Sequence, residues 1–393
     1  MAGPAVVVSA NPLQLDIRSH EKCLWICLVV TTATFQFGLD YALLGGFMAM
    51  PGFLRVFGYF DANTSKWAID PTVQQLISSL LTLGQLVGNL LVGPFSSRFG
   101  RRHGLWVASC LNFISTAIMI GTTSIKVLYF ARFLLGVSIG WFFTFSVVYV
   151  NEVSPAHLRG IVFSLYQFQL SLGSIIGAVI DNATHLIEGK EAYRIPLAIF
   201  FAAPTIQTIA MFFFPESPRW LMTQGREDEA RSALQSLRNS NIDQKEFEAE
   251  FNEIRISTKE QTEQNGKHLW MEIWNDRNRR RTLLSIAIIC THSAAGNYLT
   301  IYTTYFLTVA GVDKPFAMGV MTTVIGMLGG IASFFVVRRL DRRAMVMIGS
   351  IVVALSHLGM AVAWTAAPGS AAAGKCTVAF ICTFIFAYVA YGM

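Results

Sequence analysis

Two ionisable residues lie inside long apolar runs of this chain. Asp40 stands within the segment QFGLDYALLGG, and Arg132 opens the apolar run at 127–150. Burial of a charge in an apolar environment costs several kcal/mol unless the charge is paired, so such residues are candidates for handling protons or solutes. The alternatives are a purely structural ion pair and an Asp40 that is exposed at an interface.

Other kinds of chemistry find no support in the residue pattern. No nucleophile–base pair, metal cluster or phosphate loop appears at useful spacing, so we expect no enzyme, no metal and no cofactor. The six cysteines are expected to be small apolar packing residues, because none has metal-ligand spacing with a histidine. They stand at 23, 27, 110, 290, 376 and 382, inside or beside apolar runs.

The elements that would position these residues are transmembrane helices. The chain is 53% hydrophobic and only 14% charged, and a helix needs roughly 20 apolar residues to cross about 30 Å of hydrocarbon. Soluble cores do not require repeated runs of this length, so the sequence predicts an all-α polytopic membrane protein. The candidate helices lie near 24–50, 73–95, 104–123, 127–150, 161–181, 195–214, 282–309, 316–337, 344–366 and 376–393.

The distribution of arginine predicts which connections face the cytoplasm. Arginines crowd the connections at 98–102, 277–281 and 338–343, and the positive-inside rule places these connections and the N-terminus in the cytoplasm. Two sequons, at Asn63 and Asn182, fall in connections that the same rule places outside, so both are candidate glycosylation sites. Because topology accounts for the basic residues, no nucleic-acid partner is expected.

A polar segment at 219–281 separates six of the helices from the rest. Its apolar residues recur at helical spacing, as at Ala230 and Leu234, which favours amphipathic helices over a disordered linker. Four regions are predicted: a cytoplasmic N-terminus at 1–23, a first transmembrane half at 24–214, a cytoplasmic linker at 215–281 and a partial second half at 282–393.

An arginine signature occurs twice. SRFGRR at 97–102 follows the second helix of the first half, and RRLDRR at 338–343 follows the second helix of the second half. Corresponding signatures in two halves are typical of internally duplicated secondary transporters. Each cluster could instead be a simple positive-inside anchor, but an anchor leaves the shared spacing unexplained.

Four motifs, in order along the chain, resemble those of the sugar porter family of the major facilitator superfamily. They are SRFGRR at 97–102, the series Arg132, Gly136 and Gly140, the stretch from Glu152 to Gly160, and PESPRWL at 215–221. The resemblance covers nearly all of the chain. It implies the major facilitator fold, in which two six-helix halves are related by pseudo-two-fold symmetry, with the second half truncated here after about four helices.

The resemblance also implies a cytoplasmic network that latches the two halves together when the cavity faces outward. Arginines beside helix ends can bond free carbonyls and pair with carboxylates of a neighbouring helix. Ser97 and Arg338 stand where the family has an acid, so the network is expected to be either rewired, with Asp341 pairing locally among arginines, or looser. The implied members are Arg98, Gly100, Arg101, Arg102, Glu152, Arg159, Glu216, Arg219, Arg339, Arg342 and Arg343.

In proton-coupled members of the family, an acid at the place of Asp40 partners an arginine at the place of Arg132. The resemblance therefore implies that protonation of Asp40 releases Arg132 and changes which state the helices prefer. The solute contacts that it implies are Gln167, His292, Asn297 and Tyr302. For Gln167 and His292, a side chain satisfied within the core is the alternative.

The implied solute site departs from the family pattern. The family's Q-Q-x-[S/T]-G-x-N reads THSAAGN at 291–297, and Gly326 stands where hexose carriers often place an asparagine. Missing amides argue against ordinary hexose recognition, because a site specific for hydroxyls needs every polar partner. A polyol, a cyclic acid or a secondary metabolite is compatible with this site.

The sequence thus predicts a monomeric secondary transporter of the plasma membrane that moves a sugar or sugar-like solute together with protons. Its expected partners are that small solute, protons and the lipid bilayer. One alternative is a proton-linked exporter of a secondary metabolite, or a carrier of an organic acid or polyol. Another, from a different class, is a non-transporting nutrient sensor on the same fold.

Overall fold

A computed structural model describes residues 21–62, 66–155, 158–238, 244–265, 274, 276–366 and 370–391. Nine helical segments within these residues are long and apolar enough to cross a membrane, which confirms the polytopic helical class. A small antiparallel hairpin, not predicted from the sequence, connects the first two spans. Its strands are β1 (Tyr59–Asp61) and β2 (Lys66–Ala68).

Six spans form the first half. The first span joins two helices and covers 27 residues, and the sixth contains a 3-10 turn at Ile199–Phe201 between two helices. The helices of this half are α1 (Glu21–Val30), α2 (Thr32–Phe47), α3 (Pro51–Phe57), α4 (Pro71–Phe99), α5 (Arg101–Gly121), α6 (Ile125–Val153), α7 (Arg159–Thr184), α8 (Glu191–Ala198) and α9 (Ala202–Phe213).

The described residues of the polar segment after the first half form three helices, and the second half follows. The linker helices are α10 (Pro218–Thr223), α11 (Glu227–Leu237) and α12 (Gln244–Asn265). The second half contains α13 (Asp276–Ala294), α14 (Asn297–Ile301), α15 (Thr303–Val309), α16 (Pro315–Arg339), α17 (Arg342–Ala366) and α18 (Ala371–Ala390).

The run at 282–309 was expected to be one helix, and the structure corrects this expectation. It divides into α13, α14 and α15, with breaks at Gly296 and Tyr302. Gly296 has a φ of 99°, a left-handed conformation that glycine adopts without a Cβ clash. A Cβ at this position would also stand 2.8 Å from the His357 ring. Hydrophobicity alone does not reveal such a break.

Local signals explain where α4 begins. Asp70 precedes the helix and accepts a hydrogen bond of 2.7 Å from the backbone N–H of Thr72, while Pro71 occupies the first turn. This is the N-cap arrangement that satisfies a free N–H group and tolerates proline. The hydrogen bond from Thr72 lowers the pKa of the Asp70 carboxyl group.

The two halves repeat the same helix pairing. In the first half α6 packs against both α4 and α5, and in the second half α18 packs against both α16 and α17. Close approach of α4 and α6 depends on small residues, because a Cβ on Gly136 would overlap the carbonyl group of Leu81. Gly136 of the arginine–glycine motif therefore serves helix packing.

The halves contact each other along α7 and α16, and α2 contacts α14 and α15. Two side-chain contacts join the ends of the halves that the positive-inside rule predicts to be extracellular. The hydroxyl of Tyr302 donates to Oγ of Ser78 at 2.6 Å, and the His185 ring stacks on Phe316 with centroids 4.3 Å apart. These contacts lie at the end opposite the arginine connections.

The linker helices form a small core of their own around Trp220, Leu234 and Phe251. Arg238 attaches this unit to the membrane domain: its guanidinium donates to the carbonyl of Val153 at 3.1 Å and pairs with Glu250. The same carbonyl of Val153, at the end of α6, accepts from the Cys23 thiol of α1 at 3.7 Å. The start of α1, the end of α6 and the linker helices therefore lie on one side.

Candidate functional site

Asp40 of α2 and Arg132 of α6 form a buried ion pair inside the first half. Nη1 of Arg132 donates to Oδ1 of Asp40 at 2.8 Å, and each side chain is 2% exposed. Each charge compensates the burial of the other, so removal of one charge leaves the second unpaired. A proton on Asp40 would cancel the attraction between them.

A cavity of about 440 Å³ lies between the two halves, next to this pair. Its volume is within the range of small-molecule sites, roughly 300–1,000 Å³. Most of its wall is apolar, and hydroxyl, amide and imidazole groups project into it from both halves. The polar lining residues include Tyr41, Gln167, Ser171, Ser174, His292, Asn297, Thr300, Thr304, Thr323 and Tyr388.

Three of the four predicted solute contacts line this cavity. Gln167 comes from α7, and His292 and Asn297 lie on either side of the break at Gly296. The Tyr388 hydroxyl lies 3.0 Å from Nε2 of His292, so these two side chains form one polar group on the second-half wall. His292 thus has a protein partner and also faces the cavity.

Tyr302 lies in a different place from the one expected. It is absent from the cavity lining, and its hydroxyl bonds Ser78 in the extracellular contact between the halves. The reason is the helix break: Tyr302 is the residue between α14 and α15, which turns its ring toward α4. In this arrangement Tyr302 takes part in the contact between the halves, and its role in solute binding stays a prediction.

The sequence reading missed several cavity residues, above all Tyr41 and Tyr388. Tyr41 directly follows Asp40, and successive helical residues point about 100° apart. The cavity is lined by Phe37 and Tyr41 of α2, whereas Asp40 is not among its lining residues and faces the interior of the first half. Nothing in the local sequence distinguishes Tyr388 from other aromatic residues of α18.

The arginine motif at 97–102 forms a compact network around α5. Arg101 binds Glu152 of α6 through two hydrogen bonds, of 2.9 Å from Nε and 2.8 Å from Nη2. Glu216 accepts the backbone N–H groups of Arg101 at 3.0 Å and Arg102 at 3.2 Å. A carboxylate at this position caps the N-terminus of α5 and interacts favourably with the positive end of the helix dipole.

Gly100 makes this cap possible. Its φ is 86°, and a Cβ would lie 2.5 Å from Oε2 of Glu216. The residue therefore permits both the sharp turn between α4 and α5 and the close approach of Glu216. Ser97, at the place of the family's acid, takes part through its carbonyl, which accepts from Trp220 and Gln224 of the linker.

Other predicted members of the network make different contacts. The Arg102 guanidinium lies 5.1 Å from the Trp106 ring centroid and donates to the Phe212 carbonyl. Arg219 is partly buried, and its Nε has no hydrogen-bond partner among the described residues. Three predicted arginines are exposed, and two have side chains outside the described part of the chain. The exposed residues are Arg98, Arg339 and Arg343, and the others are Arg159 and Arg342.

The contacts that the structure describes join α5, α6 and the α9–α10 connection, all on the first half. A latch between the two halves, as expected from the resemblance, thus remains a proposal. Of the two sequons, Asn182 is exposed near the C-terminal end of α7, and Asn63 lies outside the described residues.

The helical arrangement and the motifs agree with comparisons to known proteins. A family model described as "Sugar (and other) transporter" matches residues 26–391. The chain belongs to this family. It is therefore a multi-pass membrane protein of the major facilitator superfamily. The repeated arginine signature had predicted two related halves, which is the arrangement of this fold.

The curated relatives of this family member include glucose transporters and other transporters of the major facilitator type. The low-affinity glucose transporter HXT1 of Saccharomyces cerevisiae is 28% identical, over 92% of this chain and 65% of the relative. The major facilitator-type transporter ecdD of Aspergillus rugulosus is also 28% identical, over 90% of this chain and 68% of the relative. The chain spans about two thirds of the length of these relatives.

Solved structures show the same fold. A partially occluded inward-open conformation of the xylose transporter XylE from E. coli has a TM-score of 0.72 at 19% identity, covering 94% of this chain and 85% of XylE. The proton:xylose symporter XylE bound to 6-bromo-6-deoxy-D-glucose has a TM-score of 0.76 at 20% identity, and the match covers 95% of this chain and 81% of XylE. This family member therefore has the sugar-porter form of the major facilitator fold.

Proposed function

We propose that this chain is a secondary transporter that couples the movement of a small hydroxylated solute to protons. The observation that carries the proposal is the ion pair of Asp40 and Arg132, 2.8 Å apart and buried beside a cavity between the halves. Protonation of Asp40 removes its charge and frees Arg132, so one proton changes the relative stability of two helix arrangements.

The proposed solute is a sugar or a sugar-like molecule. The amides of Gln167 and Asn297 and the hydroxyl of Thr300 supply donors and acceptors on a mostly apolar wall, which suits a ligand with several hydroxyl groups. Named relatives transport glucose, and a structural neighbour is a proton:xylose symporter. We place this activity in the plasma membrane, carried out by a monomer.

The test is uptake of labelled D-glucose and D-xylose by cells that express the full chain, with and without a proton uncoupler. Wild type should accumulate a probe, and the uncoupler should abolish accumulation. Asp40→Asn, which keeps the shape of a protonated aspartate, should lose accumulation and retain exchange of solute across the membrane. Asp313→Asn is the matched control, because Asp313 is exposed in the connection before α16.

Uptake that neither the uncoupler nor Asp40→Asn affects would disprove proton coupling. A non-transporting nutrient sensor is the second candidate, favoured by 25% identity to the high glucose sensor RGT2 of Saccharomyces cerevisiae over 96% of this chain and 49% of the relative. No uptake of either probe, together with a glucose-dependent transcriptional response, would favour the sensor.

A further inference from the structure

A line of buried polar residues runs along α2 toward Asp40. Thr32, Gln36 and Asp40 are spaced four residues apart, so they lie on one face of the helix, each about one turn from the next. Gln36 is fully buried and Asp40 is 1% exposed. The face therefore presents polar groups to the interior of the first half.

Gln207 of α9 extends this line toward the cytoplasmic side. Its Nε2 donates to Oγ1 of Thr32 at 3.0 Å and to the carbonyl of Val30 at 2.7 Å. Gln207 stands six residues before Phe213, where α9 ends on the side of the arginine connections. The line of polar groups thus starts at Gln207, about two turns from the end of α9, and continues through Thr32 and Gln36 to Asp40.

Several atoms along this line have no hydrogen-bond partner in the described part of the chain. They are both amide atoms of Gln36, Oε1 of Gln207 and Nε of Arg132, all buried from solvent. Buried polar groups without a protein partner are sites where proteins hold ordered water molecules. Gln36 is the clearest case, because neither its donor nor its acceptor has a protein partner.

The proton on Asp40 needs such a line, because Asp40 does not face the cavity. Phe37 and Tyr41 occupy the cavity side of α2. Among the described residues, Arg132 from α6 is the titratable group that acts on Asp40, and Asp40 in turn acts on Tyr41 of α2 and Tyr302 after α14. The pair is thus separated from the solute's cavity, and proton exchange requires polar groups inside the first half.

We infer that Gln36, with ordered waters held along Thr32, Gln36 and Gln207, forms the route by which the proton leaves Asp40 toward the cytoplasm. The inference rests on the proposed proton coupling and adds the path. The O–H bond of protonated Asp40 breaks, its electron pair stays on the carboxylate, and the proton passes to an adjacent water. That water gives up another of its protons along the line. The carboxylate then pairs again with Arg132, and Gln36 acts as a positioning residue that orients the waters.

The test uses purified full-length protein and needs no solute. A rapid pH jump is followed by time-resolved infrared spectroscopy of the carboxyl band that Asp40→Asn removes. Gln36→Met keeps the volume of the side chain and removes its polar atoms, so the relaxation of this band should slow by about tenfold or more. Thr34→Val is the control, because Thr34 is buried on the same helix but bonds Thr31 and Tyr166 instead of this line.

A second readout excludes a merely structural effect. In proteoliposomes with D-xylose as the probe, Gln36→Met should slow net proton-coupled uptake and leave exchange unchanged, because exchange does not require Asp40 to release its proton. If Gln36→Met fails to fold, Gln207→Met replaces it, with the same slowing expected.

The outcomes separate the route from the coupling. Relaxation of the Asp40 band at the wild-type rate in the folded variant would overturn the route and leave coupling intact. If wild type shows no titrating Asp40 band, proton coupling fails and the route fails with it. Equal slowing in Thr34→Val would also overturn the route, because any buried polar substitution would then act alike.

Discussion

The chemistry of this chain is concentrated in single side chains that the helices hold away from lipid. Asp40 and Arg132 were candidates from the sequence because each is charged within an apolar run. The structure adds that they are 2.8 Å apart and that both are turned into the first half. A side chain at this depth is either paired or neutral, so the pair can respond to one proton.

The stability of the pair can be tested with a double-mutant cycle. Arg132→Met leaves the Asp40 carboxylate unpaired, so it should lower the free energy of unfolding by about 3–5 kcal/mol near neutral pH. The double variant Asp40→Asn with Arg132→Met should lose clearly less, because no buried charge remains unpaired. Thermal unfolding in detergent measures the stability loss of the single variant and that of the double variant. Equal losses in the single and double variants would show that the two charges do not compensate each other.

A second residue-scale prediction concerns the cavity wall. Tyr388→Phe removes the hydroxyl that lies 3.0 Å from His292, so the imidazole loses its partner beside the solute. The KM for whichever probe sugar is transported should rise about threefold to tenfold, with little change in kcat. Tyr129→Phe, on α6 and outside the cavity lining, is the control. An unchanged KM would place the solute away from α18.

At the scale of elements, motif residues mainly determine how helices meet. Gly136 allows α4 and α6 to approach, and Gly100 allows Glu216 to cap α5. Arg101, which has a carboxylate partner in α6, connects the cap to Glu152. The cytoplasmic signature thus holds three chain segments of the first half in one arrangement.

Glycine substitutions test this interpretation of the cap. Gly100→Ala places a Cβ on a backbone with φ 86° and ψ −176°, a conformation that essentially only glycine adopts and that costs other residues about 1–3 kcal/mol, and it displaces the Glu216 carboxylate as well. Gly93→Ala is the matched control: it meets no atom within 4 Å and should raise stability by about 0.4–1 kcal/mol. The free energies of unfolding in detergent should therefore change in opposite directions. An unchanged free energy of unfolding in Gly100→Ala would contradict this role of Gly100 in the cap.

At the scale of the whole molecule, two halves with the same helix pairing meet around one cavity. α7 and α16 run along the boundary, and the Tyr302–Ser78 bond and the His185–Phe316 stack join the extracellular ends. Movement of one half against the other would have to break these contacts to open the extracellular side.

Weakening one of these contacts should expose the cavity to the outside. Tyr302→Phe removes the bond to Ser78, so a cysteine introduced as Ser171→Cys in the cavity should react about twofold to tenfold faster with an impermeant thiol reagent added outside. Tyr298→Phe is the control, because Tyr298 is an exposed tyrosine of α14, the short helix that ends just before Tyr302. The chain without Ser171→Cys gives the background from native cysteines. Equal rates in both variants would show that this bond does not hold the halves together.

The sequence by itself determined the membrane class and the repeated arginine signature, and it predicted the sidedness. These features depend on local composition and spacing, because the hydrophobicity of a segment and the charges beside it determine how it inserts into a membrane. It also identified Asp40 and Arg132, because a charge within an apolar run is visible without a fold. Cavity contacts such as Gln167 and Asn297 were accessible through family motifs.

Only the tertiary structure decided which side chains meet. It paired Asp40 with a residue 92 positions away, turned Tyr302 out of the cavity and divided the run at 282–309. It also left both polar atoms of Gln36, one turn from Asp40, without a partner among the residues that the structure describes. Neighbouring helical residues point about 100° apart, and the face that becomes interior, cavity or lipid-exposed is set by the packing of other helices. That packing brings together residues far apart in the chain, which local sequence patterns do not specify.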